Sequence, residues 1–264
     1  METSRANAMT SAAAPAQDLI AASSAARHRT IHGVSIGIIM LDTGFQRLPG
    51  DIGHGATWRF PVQYARVAGV SGPQVMAATA GNAEGAAPLL DRFVQAAEEL
   101  AKLGVDGITT SCGFLLAFQR ELAARCPVPV ATSSLLQIPS VSALLPSGKR
   151  VGVLTAKRAA LTANHLNVIN APLDLPVAGL REDAAFFQNN LTNALIVSYA
   201  EQEADVMECA ARLMAAHPEV GAIVSECANF APYSHKIADT YGIPVFDIVT
   251  LIEWFHNGLQ PRRY

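Results

Sequence analysis

The stretch Val105-Asp-Gly-Ile-Thr-Thr-Ser-Cys112 aligns without gaps with Val220-Gly-Ala-Ile-Val-Ser-Glu-Cys227, which lies 115 residues further along the chain. The same offset pairs Pro129-Val130 with Pro244-Val245. Self-similarity at a fixed spacing is typical of a duplicated structural unit. The sequence therefore predicts two homologous lobes, each containing one copy of the repeat.

The fold class follows from the pattern around these repeats. Apolar, β-branched runs alternate with Ala- and Leu-rich runs, which is typical of βαβ units. We therefore expect an α/β protein with two pseudo-symmetric lobes, each a parallel sheet flanked by helices. The predicted strands are Val34–Leu41, Gly107–Ser111, Pro129–Thr132, Arg150–Thr155, Ala222–Glu226 and Pro244–Ile248, with Gln74–Thr79 as a further candidate.

The repeat also suggests how the chain is divided. Residues 1–32 are rich in Ala and Ser without a helical or strand period, so we expect a disordered extension. We predict a first lobe over residues 33–135 and a second over residues 136–244. The carboxyl-terminal segment 245–264 is expected to return to the first lobe.

Composition excludes several classes of protein. The 264 residues include 19 Lys and Arg against 22 Asp and Glu, and this formal charge of −3 argues against a nucleic-acid partner. Every apolar run is too short for a membrane span. The four cysteines form no CxxC pair and have no zinc-site spacing, so we expect no metal and free thiols in a reducing cytoplasm.

Cys112 and Cys227 are the candidate catalytic residues. Each follows an expected strand and precedes an expected helix, a position where parallel sheets bind ligands and where helix N–H groups favour a thiolate. If the lobes face each other, one thiol lies on each side of a single cleft. That arrangement can remove a proton from one face of a carbon and return one to the other face.

The residues around these turns are candidate substrate contacts. Backbone N–H groups and hydroxyls there could hold a carboxylate and its enediolate, although helix capping is an equal alternative for the hydroxyls. Arg47 could bind a further carboxylate. The candidates beside Arg47 are Thr110, Ser111, Gly113, Phe114, Ser133, Thr155, Ala228 and Asn229.

The segments Thr109-Thr-Ser-Cys112-Gly-Phe and Ser225-Glu-Cys227-Ala-Asn, with the opening Leu41-Asp42-Thr43-Gly44, carry a resemblance to a known family. From about Val34 onward the sequence resembles the aspartate/glutamate/hydantoin racemase superfamily. The resemblance implies two pseudo-symmetric α/β lobes with a cysteine after a strand in each. It also implies that Asp42, with Thr43 beside it, helps to orient a substrate amino group or tune a thiol; a turn-forming role is the alternative.

These observations together predict a cofactor-independent racemase or epimerase acting on a small carboxylate or hydantoin-type compound. No cofactor, nucleic acid or membrane partner is expected, and a homo-oligomer is left open. The same scaffold also resembles arylmalonate decarboxylases, which need one catalytic cysteine, and maleate isomerases, in which a cysteine adds to the substrate. A two-lobed protein that only binds its ligand is the remaining alternative.

Overall fold

The computed structural model describes residues 33–81 and 83–261, so the extension predicted for residues 1–32 lies outside the described residues. In this part of the chain the strands form two four-stranded parallel sheets, ordered β2-β1-β3-β4 and β6-β5-β7-β8. The predicted α/β class is confirmed. The strands are β1 Ile36–Leu41, β2 Val62–Val67, β3 Gly107–Thr110, β4 Val130–Ala131, β5 Arg150–Thr155, β6 Val177–Gly179, β7 Val220–Ser225 and β8 Val245–Phe246.

Helices cover the faces of both sheets, as parallel strands require because each crossover runs over one face. Short 3₁₀ turns follow several strands, among them Gly113–Phe118 after β3 and Ala231–Tyr233 after β7. The α-helices in the described residues are α1 Gly72–Thr79, α2 Ala83–Leu103, α3 Gln119–Arg125, α4 Ile138–Leu144, α5 Ala163–Val168, α6 Ala185–Thr192, α7 Tyr199–Ala216, α8 Ser234–Tyr241 and α9 Ile248–Leu259.

The internal repeat extends to strands that the sequence pattern did not predict. Val62, the first residue of β2, and Val177, the first residue of β6, are also 115 residues apart. Both strands lie at a sheet edge, where one side is open to solvent and the apolar signal is weak. All four strands of the first sheet therefore have a counterpart at one offset in the second.

The strand considered for Gln74–Thr79 is wrong, because these residues belong to helix α1. Ser71 caps this helix together with Gln74 in a capping box, and Pro73 lies in its first turn. Both features favour a helix start over a strand. Only Val75 and Thr79 of this helix are buried, and their spacing of four residues is that of a helix face.

The carboxyl-terminal segment divides between the two sheets. Residues 245–246 form β8 and pair with β7 in the second sheet. In helix α9 the Phe255 and Leu259 side chains lie against β3 of the first sheet at Gly107. The expected return of residues 245–264 to the first lobe stays a prediction. The division into lobes at residues 135 and 244 stays a prediction. No helix in the described residues has the length and apolar character of a membrane span.

The contact at Gly107 leads to a stability prediction. A Cβ atom at this position would lie 2.7 Å from the Phe255 ring, so Gly107→Ala should push α9 away from β3. We expect a loss of about 1–3 kcal/mol in the free energy of unfolding, measured by urea denaturation. Gly258→Ala is the control, since a Cβ there meets nothing within 4 Å and alanine favours a helix. Equal stability of the two variants would contradict the contact.

Candidate active site

Cys112 and Cys227 lie beyond the carboxyl ends of the central strands β3 and β7 and line one cleft. The cleft has a volume of about 100 Å³ and receives residues from both sheets. Its walls are largely apolar and include the aromatic rings of Phe45, Phe114 and Phe187. The two thiols that the repeat placed in equivalent positions therefore share one space.

The protein surrounding both thiols makes ionisation difficult. Burial and, to a smaller extent, the charge of Glu226 raise the pKa of Cys112 to about 12, although the N–H groups of Phe114 and Leu115 lower it. Burial also raises the pKa of Cys227 well above its usual value, again with Glu226 as the second cause. With these raised pKa values both cysteines are protonated at neutral pH.

A buried carboxylate from the first lobe fixes the surroundings of Cys227. Asp51 Oδ2 accepts a hydrogen bond of 2.6 Å from Asn229 Nδ2, and the Cys227 thiol lies 3.8 Å from Asn229 Oδ1. Asp51 is 3% exposed and also accepts from the Gly53 N–H group. Because Asn229 is held through its amide nitrogen, its oxygen is directed towards the thiol.

The same carboxylate holds Arg47 at the cleft. Arg47 Nη1 donates to Asp51 Oδ1 at 2.7 Å, and Nη2 donates to Thr43 Oγ1 at 2.9 Å. The guanidinium lies over the Phe45 ring, 4.5 Å from its centroid. These contacts present a fixed, nearly buried cation on the first-lobe wall, which is suited to binding a carboxylate.

Glu226 also lines the cleft. Its Oε2 atom accepts hydrogen bonds from Thr155 Oγ1 at 2.7 Å and from the Ala156 N–H group at 3.4 Å. Burial raises the pKa of this carboxyl group to about 7. A signal was present in the repeat, where Glu226 replaces Ser111 of the first copy at the end of an apolar strand.

Most of the candidate substrate contacts meet at this cleft. The structure brings together seven of them around the two cysteines: Thr43, Arg47, Ser111, Gly113, Phe114, Ala228 and Asn229. Asp51 and Glu226 were not among the predicted contacts. Asp51 lies in a long Gly- and Pro-rich loop, where sequence gives no indication of which polar side chain turns inward.

The remaining four candidates have hydrogen bonds elsewhere and do not line the cleft. Asp42 accepts from the Gly69 N–H group and from Arg66, on the exposed side of the first sheet. Thr110 Oγ1 donates to the Thr132 carbonyl, and Ser133 caps the turn that begins at Ser134. Thr155 does not line the cleft, but its hydroxyl donates a hydrogen bond to Glu226, which does.

A segment of the second lobe forms part of the cleft wall and is hydrogen-bonded to the loop after β1. Asn190 and Leu191 of α6 contribute to its lining. Just beyond this helix, Asn193 Oδ1 accepts from the Gly44 N–H group and the Ala194 carbonyl accepts from the Gln46 N–H group, at 2.8 and 2.9 Å. The described residues contain no group of His, Cys, Asp and Glu side chains arranged for a metal ion.

Comparison with known proteins identifies the family and the fold. The family model for Asp/Glu/hydantoin racemases matches residues 59–254, which include both cysteines. The chain belongs to this family. A solved structure of unliganded arylmalonate decarboxylase superimposes with a TM-score of 0.57 at 17% identity, covering 88% of this chain and 94% of the other. That similarity shows the shared fold.

Curated relatives of this family member include dimethylsulfoniopropionate lyases. The lyase of Durusdinium sp. clade D is 27% identical over 241 residues, which cover 88% of this chain and 78% of the relative. Dimethylsulfoniopropionate lyase 5 of Emiliania huxleyi (strain CCMP1516) is 26% identical over 237 residues. The match covers 85% of this chain but only 45% of that longer relative.

The environment of the thiols leads to a prediction about their reactivity. Because the thiolate is the reactive form, iodoacetamide should modify Cys112 and Cys227 slowly at pH 7 and faster as the pH rises. Glu226→Gln removes the negative charge that opposes both thiolates, so alkylation should accelerate above pH 7 but not below pH 6, where Glu226 is protonated. Peptide mass spectrometry measures both rates.

The matched control for this experiment is Glu219→Gln, the same change at the opposite end of β7. Glu219 is partly exposed and paired with His217. Its substitution should leave both alkylation rates unchanged. Equal rates in wild-type protein and Glu226→Gln at pH 9 would show that the carboxyl group does not act on the thiols.

Proposed function

We propose that this protein is an enzyme that removes the proton from the carbon next to the carboxylate of a small molecule, with a cysteine as the base. We further propose β-elimination from dimethylsulfoniopropionate or a close analogue as its reaction. The observation that carries the proposal is the meeting of two thiols and one fixed guanidinium in a single cleft.

Arg47 and the turn N–H groups suit the first requirement, which is to hold the substrate carboxylate and the enediolate formed from it. Negative charge grows on the carboxylate oxygens as the proton leaves, and preorganised donors stabilise that charge most. The backbone around Ala228 and Asn229 lies beside Cys227, and the Asn229 side chain shares Asp51 with Arg47. The α-carbon of a carboxylate bound there would lie near Cys112 and Cys227.

The high pKa of the thiols suits the second requirement, which is a base strong enough for a carbon acid. A thiolate that forms in a desolvated site is a stronger base than one in water, although it is a smaller fraction of the enzyme. No cofactor is needed for this step if the enediolate is held by hydrogen bonds. A reducing, cytoplasmic compartment would keep both thiols free; that location stays a prediction.

Elimination completes the reaction without any further reagent. The electron pair left at the α-carbon forms the double bond to the β-carbon, and the bond from the β-carbon to sulfur breaks. Neutral dimethyl sulfide leaves with the electron pair of the broken carbon–sulfur bond, acrylate remains, and the proton stays on the cysteine. Support comes from the two lyase relatives and from the aromatic cleft wall, since aromatic faces attract cations such as sulfonium.

Racemisation by two cysteines is the second candidate, and the duplication of the thiols favours it. Here the same enediolate receives a proton from the thiol on the opposite face instead of losing a group. The substrate would be an amino acid or hydantoin-type compound with a stereocentre at the α-carbon. Both candidates share the first proton transfer and differ in the fate of the enediolate.

One assay separates these candidates. Purified protein is incubated in D₂O with dimethylsulfoniopropionate, and separately with single enantiomers of amino acids and hydantoins, with arylmalonates and with maleate. We expect acrylate by NMR and dimethyl sulfide by gas chromatography. Inversion with α-deuterium in an enantiomer would favour racemisation, whereas carbon dioxide from arylmalonates or conversion of maleate would contradict both. If none of these compounds reacts, the proposed reaction is contradicted.

Substitution of the cysteines tests their roles. Cys112→Ala and Cys227→Ala should each lower turnover by about 10²–10⁴-fold if the thiol is an acid or base in the reaction. A lyase needs one base, so unequal losses favour elimination, while a two-base racemase loses full inversion in both variants. Cys126→Ala is the control, because Cys126 lies at the end of α3 outside the cleft lining. Unchanged turnover in both cleft variants would exclude cysteine catalysis.

A further inference from the structure

Glu226 is a buried carboxyl group that the proposed reaction does not use. It is 2% exposed, and its described partners are the hydroxyl of Thr155 and the N–H group of Ala156, both on Oε2. Among the described residues no Lys or Arg forms an ion pair with it, and no cation contributes to its pKa. A carboxyl group in such a place costs stability unless something offsets its desolvation.

The protein makes room for this group by omitting a side chain. A Cβ atom at position 113 would overlap both the carboxyl group and the carbonyl oxygen of Glu226. Gly113 directly follows Cys112, so the carboxyl group reaches across to the turn that carries the first thiol. The first repeat has the small Ser111 in the equivalent position, and its hydroxyl accepts a hydrogen bond from the Leu41 N–H group. The fold itself therefore does not require a carboxyl group at this strand end.

The charged groups of the cleft lie on opposite walls. Arg47 is held on the first-lobe wall by Asp51 and Thr43, while Glu226 is held on the second-lobe wall by Thr155 at the end of β5. Both thiols are close enough to Glu226 for its charge to raise their pKa values, and Asp51 also acts on Cys227. The cleft therefore carries a guanidinium from one lobe and a carboxyl group from the other, although most of its surface is apolar.

We propose that Glu226 is the counter-ion for a positively charged group on the substrate, so that the cleft selects zwitterions. The carboxylate would bind at Arg47, and the sulfonium or ammonium group would bind between Glu226 and the rings of Phe114 and Phe187. This rests on the proposed function for the placement of the carboxylate. Asp42, which the family resemblance implicated in orienting an amino group, does not line the cleft and is bonded to Arg66.

A cation at Glu226 has a second effect on the thiols. The titratable and charged groups that line the cleft with the carboxyl group are Cys112 from the turn after β3, Cys227 from its own turn, and Arg47, which is paired with Asp51. A bound cation cancels the charge that opposes both thiolates. Binding of a zwitterion therefore makes thiol ionisation easier. A ligand of the same shape without the cationic group does not have this effect.

Binding of two ligands with one shape tests the proposal without turnover. N,N-dimethyl-β-alanine carries a cation and a poor leaving group, and 4-methylpentanoate has the same skeleton with a neutral carbon in place of nitrogen. By calorimetry at pH 7 the wild-type protein should bind the zwitterion about tenfold more tightly or better, as a charged hydrogen bond predicts. Its binding should also release protons, because a cation favours ionised Glu226. Buffers of different ionisation enthalpy measure that release.

Glu226→Gln keeps the volume of the side chain and an acceptor for Thr155 but removes the charge. It should abolish both the preference for the zwitterion and the proton release, while affinity for 4-methylpentanoate is retained. Glu219→Gln should behave as wild type. Equal affinity of the wild-type protein for both ligands, proton uptake on zwitterion binding, or an unchanged preference in Glu226→Gln would each overturn the proposal.

The outcome is separable from that of the proposed reaction. If dimethylsulfoniopropionate is not cleaved but zwitterions bind in a Glu226-dependent way, the proposed elimination fails and the counter-ion role stands. If dimethylsulfoniopropionate is cleaved and Glu226→Gln has the same KM as the wild-type enzyme, the elimination stands and the counter-ion role fails.

Discussion

The close contact between the carboxyl ends of β3 and β7 is the constraint on which the candidate site depends. Glycine at position 113 allows the carboxyl and carbonyl oxygens of Glu226 to occupy the space of a side chain. Ser134 strengthens this contact by donating a hydrogen bond to the Ser225 carbonyl. Because the strand ends meet, the two cysteines face one small cleft and lose water together, and this shared burial is the main cause of their raised pKa values.

Asp51 contributes the second fixed element. One carboxylate holds Arg47 through Oδ1 and Asn229 through Oδ2, although these two residues are far apart in sequence and belong to different sheets' connections. A shift of the loop that carries Asp51 would therefore move the cation and the neighbour of the Cys227 thiol at once. Substrate binding and the surroundings of that thiol are coupled through a single buried side chain.

The sequence predicted the parts of this molecule that depend on repeated, strongly apolar patterns. The offset of 115 residues predicted the paired central strands and the equivalence of the two cysteines. It did not predict the edge strands β2 and β6, whose apolar signal is weak, or helix α1, whose start is set by a local capping box. Asp51 and Glu226 were missed because the direction of a loop side chain, or of one past a strand end, is decided by tertiary contacts.

The difference between Ser111 and Glu226 makes the two halves of the duplicated site chemically different. Two identical halves would treat the two faces of a bound molecule alike, which suits the interconversion of mirror images. With a guanidinium at one side of the cleft and a carboxyl group at the other, a zwitterion of the proposed kind would bind in one orientation. The two hydrogens of an α-methylene group then stop being equivalent, because only one of them faces a given thiol. The duplication would therefore supply the pair of thiols. The replacement of Ser111 by Glu226 in the second copy would make the site selective between the two hydrogens of a prochiral carbon.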